Sequence, residues 1–376
     1  MKFLFFLSFF LILYVYLGYP LLMFLAARTC RRKVGKKDIQ PPVTVIITAC
    51  NEEKDIAAKL ENTLLLDYPE ERLEIIVGSD GSVDGTNSIV RTFEQSGVKL
   101  IAFEKNRGKT LTQNDCVKEA RNNLIVFMDA ASICEKDALK KIAACFADAR
   151  VGAVAGRIVY KTANESLVTE SQGIYWQYEQ ALKRAESALG MLVGVDGPLY
   201  VVRKELYRDL PGEAVSDLMT PLLVREAGQW VVLEQDAICY EEPTKTTGEE
   251  QKTRRRVVAR GFVGLFRYRS LLNPFKFPLL AWQIVSRKVL RWLVGLCFIL
   301  MLISSFFLLD GLFYRAVFVC MILLLALAFI GLKNPEQTNP LIAVPYYFLL
   351  VNWSALLGFF DFLRGKKIVS WKPVRN

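Results

Sequence analysis

The amino-acid sequence predicts an α/β fold, with a mostly parallel sheet in the middle of the chain and membrane-associated helices on either side of it. In the middle, short β-branched apolar runs alternate with segments of helical periodicity. Toward both ends, apolar stretches are long enough to cross a bilayer. Hydrophobic residues make up 52% of the chain and charged residues 23%, which fits a polar domain and membrane helices in one polypeptide.

Residues 1–27 are predicted to form an N-terminal transmembrane anchor. Residues 3–27 carry no charge, and six of the ten residues from Arg28 to Lys37 are basic. Basic residues after an apolar span favour the cytoplasmic side, so the chain that follows is expected in the cytoplasm. The net charge of +10 is concentrated at such membrane borders, without a basic–aromatic repeat. We therefore expect membrane lipid as a partner and no nucleic acid.

Residues 38–252 have the pattern of a soluble domain. The order of predicted elements is strand, helix, strand, helix, strand, helix, strand, over 43–48, 52–65, 73–77, 86–95, 98–103, 110–121 and 124–128. Such alternation predicts parallel strands, whose ligands bind beyond the carboxyl ends. Asn51, Asp80 and Asp129 each lie at or just beyond such an end.

After this domain, the chain becomes aromatic, basic and then apolar. Residues 253–288 are predicted to be interfacial amphipathic helices, and 289–363 to contain three transmembrane stretches, at 289–309, 313–332 and 341–363. Residues 364–376 form a basic tail. One span before the domain and three after it would place the tail outside, whereas its charges favour the cytoplasm. We expect a multi-pass cell-membrane protein with a cytoplasmic domain.

Composition limits the chemistry, because the chain has no histidine. Ser-His-Asp catalysis, histidine-ligated zinc and a histidine base are excluded. Eight cysteines are scattered without a CxxC pair, which is typical of reduced, packed thiols. Acid–base chemistry must come from Asp, Glu, Lys, Tyr or Cys.

Two polar loops follow the first two strands. Thr48, Asn51 and Glu52 at the end of the first strand could bind a base or ribose, although the same residues could cap a helix. Asp80 and Ser82 lie in an acidic, glycine-containing loop. This loop lacks the GxGxxG pattern, so a dinucleotide cofactor is not expected, and a capped turn is the alternative.

Two further charged residues follow the next two strands. Lys109 comes after Gly108, as in a phosphate loop, but Phe103 stands where that motif needs glycine. Contact between Lys109 and a pyrophosphate stays an alternative. Asp129 ends a hydrophobic strand and suits a ribose contact or a divalent metal bridging a diphosphate, while a strand-end cap would use the same residue.

These motifs, in this order, resemble the membrane-bound family-2 glycosyltransferases with a GT-A-type, Rossmann-like domain, such as chitin, hyaluronan and poly-N-acetylglucosamine synthases. The resemblance covers about 43–270 and implies a UDP-sugar donor and a saccharide or lipid-linked acceptor. It assigns Asp217 as catalytic base and Asp196 and Gly197 to the acceptor side. The donor-side residues that it implies are Thr48, Asn51, Glu52, Asp80, Ser82, Lys109, Asp129, Gln251, Arg254 and Arg255.

Three positions depart from the family pattern. Ala131 replaces the second aspartate of the Asp-x-Asp motif, Ser216 replaces the acidic residue before the base, and Arg255 replaces a tryptophan. The resemblance implies Mg²⁺ or Mn²⁺, and with Ala131 we expect at most a hydrated ion between Asp129 and the donor diphosphate.

The resemblance therefore predicts an inverting transfer at the cytoplasmic face, with Asp80, Asp129, Asp217 and the Arg254 cluster converging around an activated sugar. Two alternatives stay open. A polyprenyl-phosphate monosaccharide transferase would fit the short chain and the missing tryptophan. A catalytically impaired relative that binds a nucleotide sugar or a partner enzyme would fit Ala131.

Overall fold

The chain divides into two compact units. A computed structural model describes residues 1–160, 167–242, 246–334 and 339–366, with the backbone alone for 167–174. The sheet unit consists of Cys30–Lys161, Glu186–Glu242 and Ile368–Asn376, and the helical unit of Met1–Thr29, Thr162–Ala185 and Pro243–Lys367. The predicted basic tail lies outside the described residues from position 367 onward.

The sheet unit contains a sheet of eight strands, in the order β3-β2-β1-β4-β7-β6-β8-β5. Its strands are β1 (Val43–Ala49), β2 (Leu73–Asp80), β3 (Val98–Phe103), β4 (Leu124–Asp129), β5 (Ile133–Cys134), β6 (Val151–Tyr160), β7 (Leu199–Arg203) and β8 (Trp230–Glu241). Four of the seven neighbouring pairs in the described part of the chain are parallel. This confirms the predicted α/β fold with a mostly parallel sheet.

The buried first strand determines where the polar loops lie. All seven residues of β1 are buried, as expected for a strand with parallel neighbours and helices on its faces. Thr48 is in register with Gly78 of β2 and with Asp129 of β4. The ends of three parallel strands therefore meet at one edge of the sheet, and their loops project from that edge.

The strands after β4 add an antiparallel half to the sheet. β7 runs antiparallel to both β4 and β6, and β5 is a two-residue strand antiparallel to β8. Because β7 lies directly beside β4, the segment that precedes β7 reaches the same edge as the end of β4. This segment contains Asp196 and Gly197.

Fourteen α-helices complete the two units. They are α1 (Lys2–Leu13), α2 (Tyr19–Thr29), α3 (Ile56–Leu64), α4 (Thr86–Thr92), α5 (Lys109–Glu119), α6 (Ala138–Cys145), α7 (Leu167–Ala188), α8 (Ser216–Glu226), α9 (Thr247–Arg267), α10 (Pro278–Ile284), α11 (Leu290–Trp292), α12 (Val294–Phe306), α13 (Leu312–Lys333) and α14 (Pro340–Leu363) within the described residues. Two π-helical turns, Tyr14–Gly18 and Val285–Val289, join α1 to α2 and α10 to α11.

The helical unit holds the apolar helices. Three described helices are long and apolar enough to cross a membrane: Lys2–Thr29, Leu312–Lys333 and Pro340–Leu363. A fourth candidate is the pair Pro278–Trp292 and Val294–Phe306, which bends by 58° between its two parts. The stretch expected at 289–309 therefore contains this bend rather than one straight helix.

Candidate active site

A lysine lies between two carboxylates at the edge of the sheet where the parallel strands end. The Nζ of Lys109 is 2.6 Å from Oδ1 of Asp129 and 3.8 Å from Oδ2 of Asp217. The lysine side chain is 14% exposed and each aspartate side chain 27% exposed. We call these three residues the carboxylate–lysine cluster. Their partial exposure leaves charged atoms within reach of a ligand.

The absence of a side chain at Gly197 leaves room for the charged ends of this cluster. A Cβ added at that position would lie 2.8 Å from Asp217 Oδ2, 2.9 Å from Lys109 Nζ and 3.0 Å from Asp129 Oδ2. Real Cβ atoms essentially never come within 3.0 Å of such atoms. The segment with Asp196 and Gly197, which we call the glycine loop, therefore has its backbone against the charged ends of the candidate catalytic residues.

The turn before α5 positions Lys109. Gly108 has a φ of 92°, which L-residues with a Cβ avoid, and it precedes the first residue of the helix. The carboxylate of Asp80 accepts hydrogen bonds from the backbone N–H groups of Arg107, at 2.7 Å, and Gly108, at 2.8 Å. Asp80 is fully buried. In the structure this aspartate holds the turn that carries Lys109.

Two hydrogen bonds position Asp217 at the start of α8. Its backbone carbonyl accepts from the N–H of Val195, at 3.0 Å, which ties the helix to the glycine loop. The hydroxyl of Thr110 donates to the carbonyl of Ala214, at 2.9 Å, which ties α5 to the segment before α8. The base candidate and Lys109 are therefore attached to each other through their backbones.

A buried lysine that the sequence analysis did not single out supports the turn after Asp129. The hydroxyl of Ser132 donates to the carbonyl of Asp129, at 2.8 Å, and Nζ of Lys59 donates to the same hydroxyl, at 3.3 Å. Lys59 is fully buried, on the face of α3 that also buries Ile56 and Leu60. Its position three residues after an apolar one on a predicted helix was the available signal.

The residues after β1 mainly bind the loop after β2. The side-chain oxygen of Asn51 accepts from the N–H of Val83, at 2.9 Å, and its own N–H donates to Ser82 Oγ, at 3.1 Å. Asn51 adopts a φ of 56°, and α3 begins only at Ile56, so Asn51 does not cap that helix. These contacts join the two loops predicted to bind the nucleotide.

Glu52 and Thr48 are the other two residues of the first loop that were predicted to lie on the donor side. The backbone N–H of Glu52 donates to the hydroxyl of Thr86, at 2.8 Å. Thr48 is buried, and its hydroxyl has no hydrogen-bond partner among the described residues. A buried hydroxyl without a partner costs free energy, and Thr48 lies directly beneath the edge where the parallel strands end.

Burial and charge set the protonation of the cluster. Burial raises the pKa of Asp217, the charge of Lys109 lowers it, and the carboxylates of Asp129 and Asp196 raise it again, with a net increase. Burial lowers the pKa of Lys109, but Asp129 and Asp217 raise it more, to about 12. At neutral pH the lysine is therefore cationic, and Asp217 has a greater affinity for protons than an exposed aspartate.

The remaining predicted donor residues belong to the helical unit. Arg254 donates through Nε to Glu250, at 2.7 Å, and through Nη2 to the hydroxyl of Tyr347, at 3.0 Å. Arg255 forms a two-pronged ion pair with Asp361, in which Nη2 is 2.7 Å from Oδ1. Gln251, on the same helix, is half-buried. Each of the two arginines therefore has a carboxylate partner within its own unit.

The described side chains do not fit a metal ion held by the protein alone. Among residues 1–160, 175–242, 246–334 and 339–366, no group of three or more His, Cys, Asp or Glu side chains is placed to hold one. The Asp129 carboxylate is bonded to the Lys109 ammonium, and position 131 is alanine. Divalent Mg²⁺ and Mn²⁺ prefer several oxygen ligands, whereas here one carboxylate already has a cationic partner.

A separate depression lies at the other edge of the sheet. It has a volume of about 480 Å³ and is lined by Asp38, Ile39, Gln40, Pro41 and Arg72. These residues precede β1 and β2, so the depression adjoins the amino ends of the parallel strands. It is distinct from the carboxylate–lysine cluster at the carboxyl ends.

Comparison with known proteins identifies the domain that carries this cluster. Residues 44–210 match the glycosyl transferase family 2 model. They form a family-2 glycosyltransferase domain. The match includes Asp80, Lys109, Asp129 and the glycine loop, and it ends before Asp217. This confirms the family that the sequence motifs resembled.

Two curated relatives of the family-2 domain are poly-β-1,6-N-acetyl-D-glucosamine synthases. The Staphylococcus epidermidis protein is 26% identical over 283 residues, which cover 71% of this chain and 66% of that protein. The protein from Staphylococcus aureus strain COL is 28% identical over 272 residues, covering 68% and 65%. The match therefore spans just under two thirds of each relative's length.

A solved structure shares the fold of the family-2 domain and of the chain around it. It is a mannosyltransferase from Pyrobaculum calidifontis in complex with GDP-Man and Mn²⁺, with a TM-score of 0.71 and 22% identity. The similarity covers 96% of this chain and 99% of that one. At this level of identity it shows a common fold.

Proposed function

We propose that this chain is a membrane-bound inverting glycosyltransferase, which transfers a sugar from a nucleotide sugar to an acceptor hydroxyl at the cytoplasmic face. The observation that carries the proposal is the carboxylate–lysine cluster at the carboxyl-end edge of a family-2 domain. Such a displacement needs two groups. A carboxylate takes the proton of the acceptor hydroxyl, and a cation stabilises the charge on the departing phosphate.

The proposed base is Asp217. An acceptor hydroxyl attacks the anomeric carbon of the donor sugar, the bond from that carbon to the diphosphate oxygen breaks, and the hydroxyl proton passes to the Asp217 carboxylate. The raised pKa of Asp217 strengthens it as a proton acceptor. A single displacement inverts the configuration at the anomeric carbon, and its transition state has oxocarbenium character.

In the sheet unit, we propose that Lys109 contacts the diphosphate as it departs and stabilises its negative charge. Its ammonium has three donors, and one is used at 2.6 Å by Asp129. Negative charge on the leaving group increases as its bond breaks, so a cation placed at that point lowers the barrier. The mannosyltransferase with this fold was solved in complex with GDP-Man and Mn²⁺.

The donor and acceptor are proposed from the relatives and from the membrane helices. The relatives named poly-β-1,6-N-acetyl-D-glucosamine synthases support an N-acetylglucosaminyl donor, and the resemblance of the sequence motifs implies that the donor is a UDP-sugar. The candidate spans of the helical unit support a multi-pass membrane protein, and with it a saccharide or lipid-linked acceptor. We place Asp196 and Gly197 on the acceptor side, because both adjoin Asp217.

A screen of donors tests this function. The purified full chain in lipid vesicles is incubated with radiolabelled UDP-N-acetylglucosamine, UDP-glucose and GDP-mannose, each with an acceptor lipid extract, with Mg²⁺, Mn²⁺ or EDTA. Transfer of label from one donor, lost in Asp217→Asn and kept in the exposed control Asp209→Asn, is the expected result. Absence of transfer from every donor, with nucleotide binding intact, would favour the impaired relative.

A second candidate function is a polyprenyl-phosphate monosaccharide transferase. Arg255 is the observation that favours it, because this residue stands where the resembled family has tryptophan and is paired with Asp361. Mass spectrometry of the lipid product separates the two. One sugar on a lipid phosphate indicates the monosaccharide transferase, and a series of increasing length indicates a polymer synthase.

A further inference from the structure

The further inference concerns the charge that faces the donor diphosphate, and it rests on the proposed function. We propose that the Lys109 ammonium takes the place of a protein-held divalent metal, so that this chain binds the diphosphate of its donor without one. The proposal follows from the position of this lysine between two carboxylates and from the alanine at position 131.

The charges at this edge of the sheet balance without a metal. Two carboxylates with one divalent cation are neutral, and so are one carboxylate and one ammonium ion. Ala131 removes one carboxylate from the turn after β4, and Lys109 supplies one positive charge at 2.6 Å from the carboxylate that remains. The Asp129–Lys109 pair therefore has the same net charge as a metal bound by two aspartates.

Lys109 is also held in place by its own turn and by its neighbour. It is the first residue of α5, its turn is bonded to the buried Asp80, and the next residue is bonded to Ala214. Its side chain is only 14% exposed, unlike that of Lys118 on the same helix, at 57%. An ammonium positioned in this way does not have to be ordered by the ligand, which favours binding.

The Lys109 ammonium lies in a closely packed position and uses only part of its hydrogen-bonding capacity. The backbone of Gly197 approaches so closely that even a Cβ would be 2.9 Å from Lys109 Nζ. The Asp129 oxygen takes one of the three ammonium donors, and the other two are available for phosphate oxygens. Lys109 binds Oδ1 of Asp129, so a metal on the other oxygen of this carboxylate would lie beside a positive charge, which disfavours metal binding.

The test measures nucleotide binding by the full chain in detergent, by calorimetry, with UDP and GDP as probes. Wild-type affinity in EDTA and in Mn²⁺ is expected to agree within about threefold. Lys109→Gln is expected to lose about tenfold or more in EDTA, because a charge-assisted hydrogen bond disappears. Lys109→Arg should retain metal-free binding, and the control Lys118→Gln should match the wild type.

Electron paramagnetic resonance of added Mn²⁺ gives a readout that does not depend on turnover. The wild type should leave Mn²⁺ in solution, and Lys109→Gln combined with Ala131→Asp should bind it, because two carboxylates are then free of the lysine. Wild-type binding of UDP or GDP that falls tenfold or more in EDTA would overturn the inference and leave the proposed function intact. If neither nucleotide binds in any buffer, the proposed function itself fails.

Discussion

Each of the two units contains a cluster of charged side chains, and the two clusters differ in burial and in the sign of the central charge. In the helical unit, Glu179 is 2.5 Å from Arg287 and 2.8 Å from Arg291, and all three side chains are exposed by 9% or less. In the sheet unit, the carboxylate–lysine cluster contains one close contact, one contact at 3.8 Å and side chains that are up to 27% exposed. In the first group one buried carboxylate faces two buried guanidinium groups, and in the second one ammonium faces two partly exposed carboxylates.

This difference indicates which group interacts with a ligand. A buried carboxylate with two arginines has its desolvation offset within the protein, so it connects α7 to the turn before α11 and to α11 itself. The cluster at the sheet edge keeps a carboxylate with a raised pKa beside a cation. Perturbed groups of this kind at a sheet edge are typical of active sites.

The largest expected effect is on the rate of transfer. Asp217→Asn removes the proposed proton acceptor but keeps the size of the side chain, so transfer should fall by about one hundred- to ten thousand-fold. Nucleotide affinity should remain close to that of the wild type. Both quantities are measured on the same preparation, and a variant that retains more than a tenth of the activity would reject Asp217 as base.

The next effect is on the stability of the helical unit. Glu179→Gln leaves two buried guanidinium groups without a carboxylate, which should lower the free energy of unfolding by about 3–5 kcal/mol. Denaturant titration in detergent measures it. The matched control is Glu119→Gln, which breaks an exposed pair with Lys99 and should leave stability unchanged. Equal losses in both variants would contradict the distinction between the two units.

A smaller effect is expected at the glycine loop. Gly197→Ala places a methyl group within about 3 Å of the charged ends of three side chains. These ends must shift to make room, so the variant should lower the transfer rate by about tenfold or more and change stability little. Gly248→Ala, where no heavy atom lies within 4 Å of the added Cβ, is the control. Thermal unfolding and initial rates of both variants test this. An unchanged rate in Gly197→Ala would separate this loop from catalysis.

The smallest effect is a shift in pH dependence. The base must be ionised, and burial and nearby carboxylates raise the pKa of Asp217, so kcat/KM should fall on acidification at a higher pH than the usual aspartate value of about 3.9 predicts. Asp196→Asn removes one of the charges that raise this pKa. The acid limb should then move to lower pH. A shift in the opposite direction would rule out this electrostatic coupling.

The strands up to β4 could be predicted from the sequence, and the strands after it could not. β1 to β4 are apolar, β-branched runs that lie side by side within the 43–129 segment, and their predicted bounds differ from the observed ones by at most three residues. β7 lies beside β4 although about 70 residues separate them. Local periodicity carries no information on such long-range pairing.

The contacts of individual site residues also could not be predicted from the sequence. Asp80 was expected to face a nucleotide, and in the structure both of its oxygens hold the turn before Lys109. Lys59 was not singled out, and it supports the turn after Asp129. Arg254 and Arg255 were assigned to the donor site, and each pairs with a carboxylate of the helical unit. Hydrogen-bond partners depend on distances that spacing along the chain does not specify.

The sequence by itself determined the fold class, the family, the apolar helices and the set of charged residues from which catalysis must draw, because these follow from residue types and their periodicity. Only the tertiary structure decided that Lys109, Asp129, Asp217 and Gly197 form one cluster. Four segments, separated by up to about 70 residues, meet there through strand order and backbone hydrogen bonds. Their Coulombic interactions depend on the resulting separations of a few ångströms.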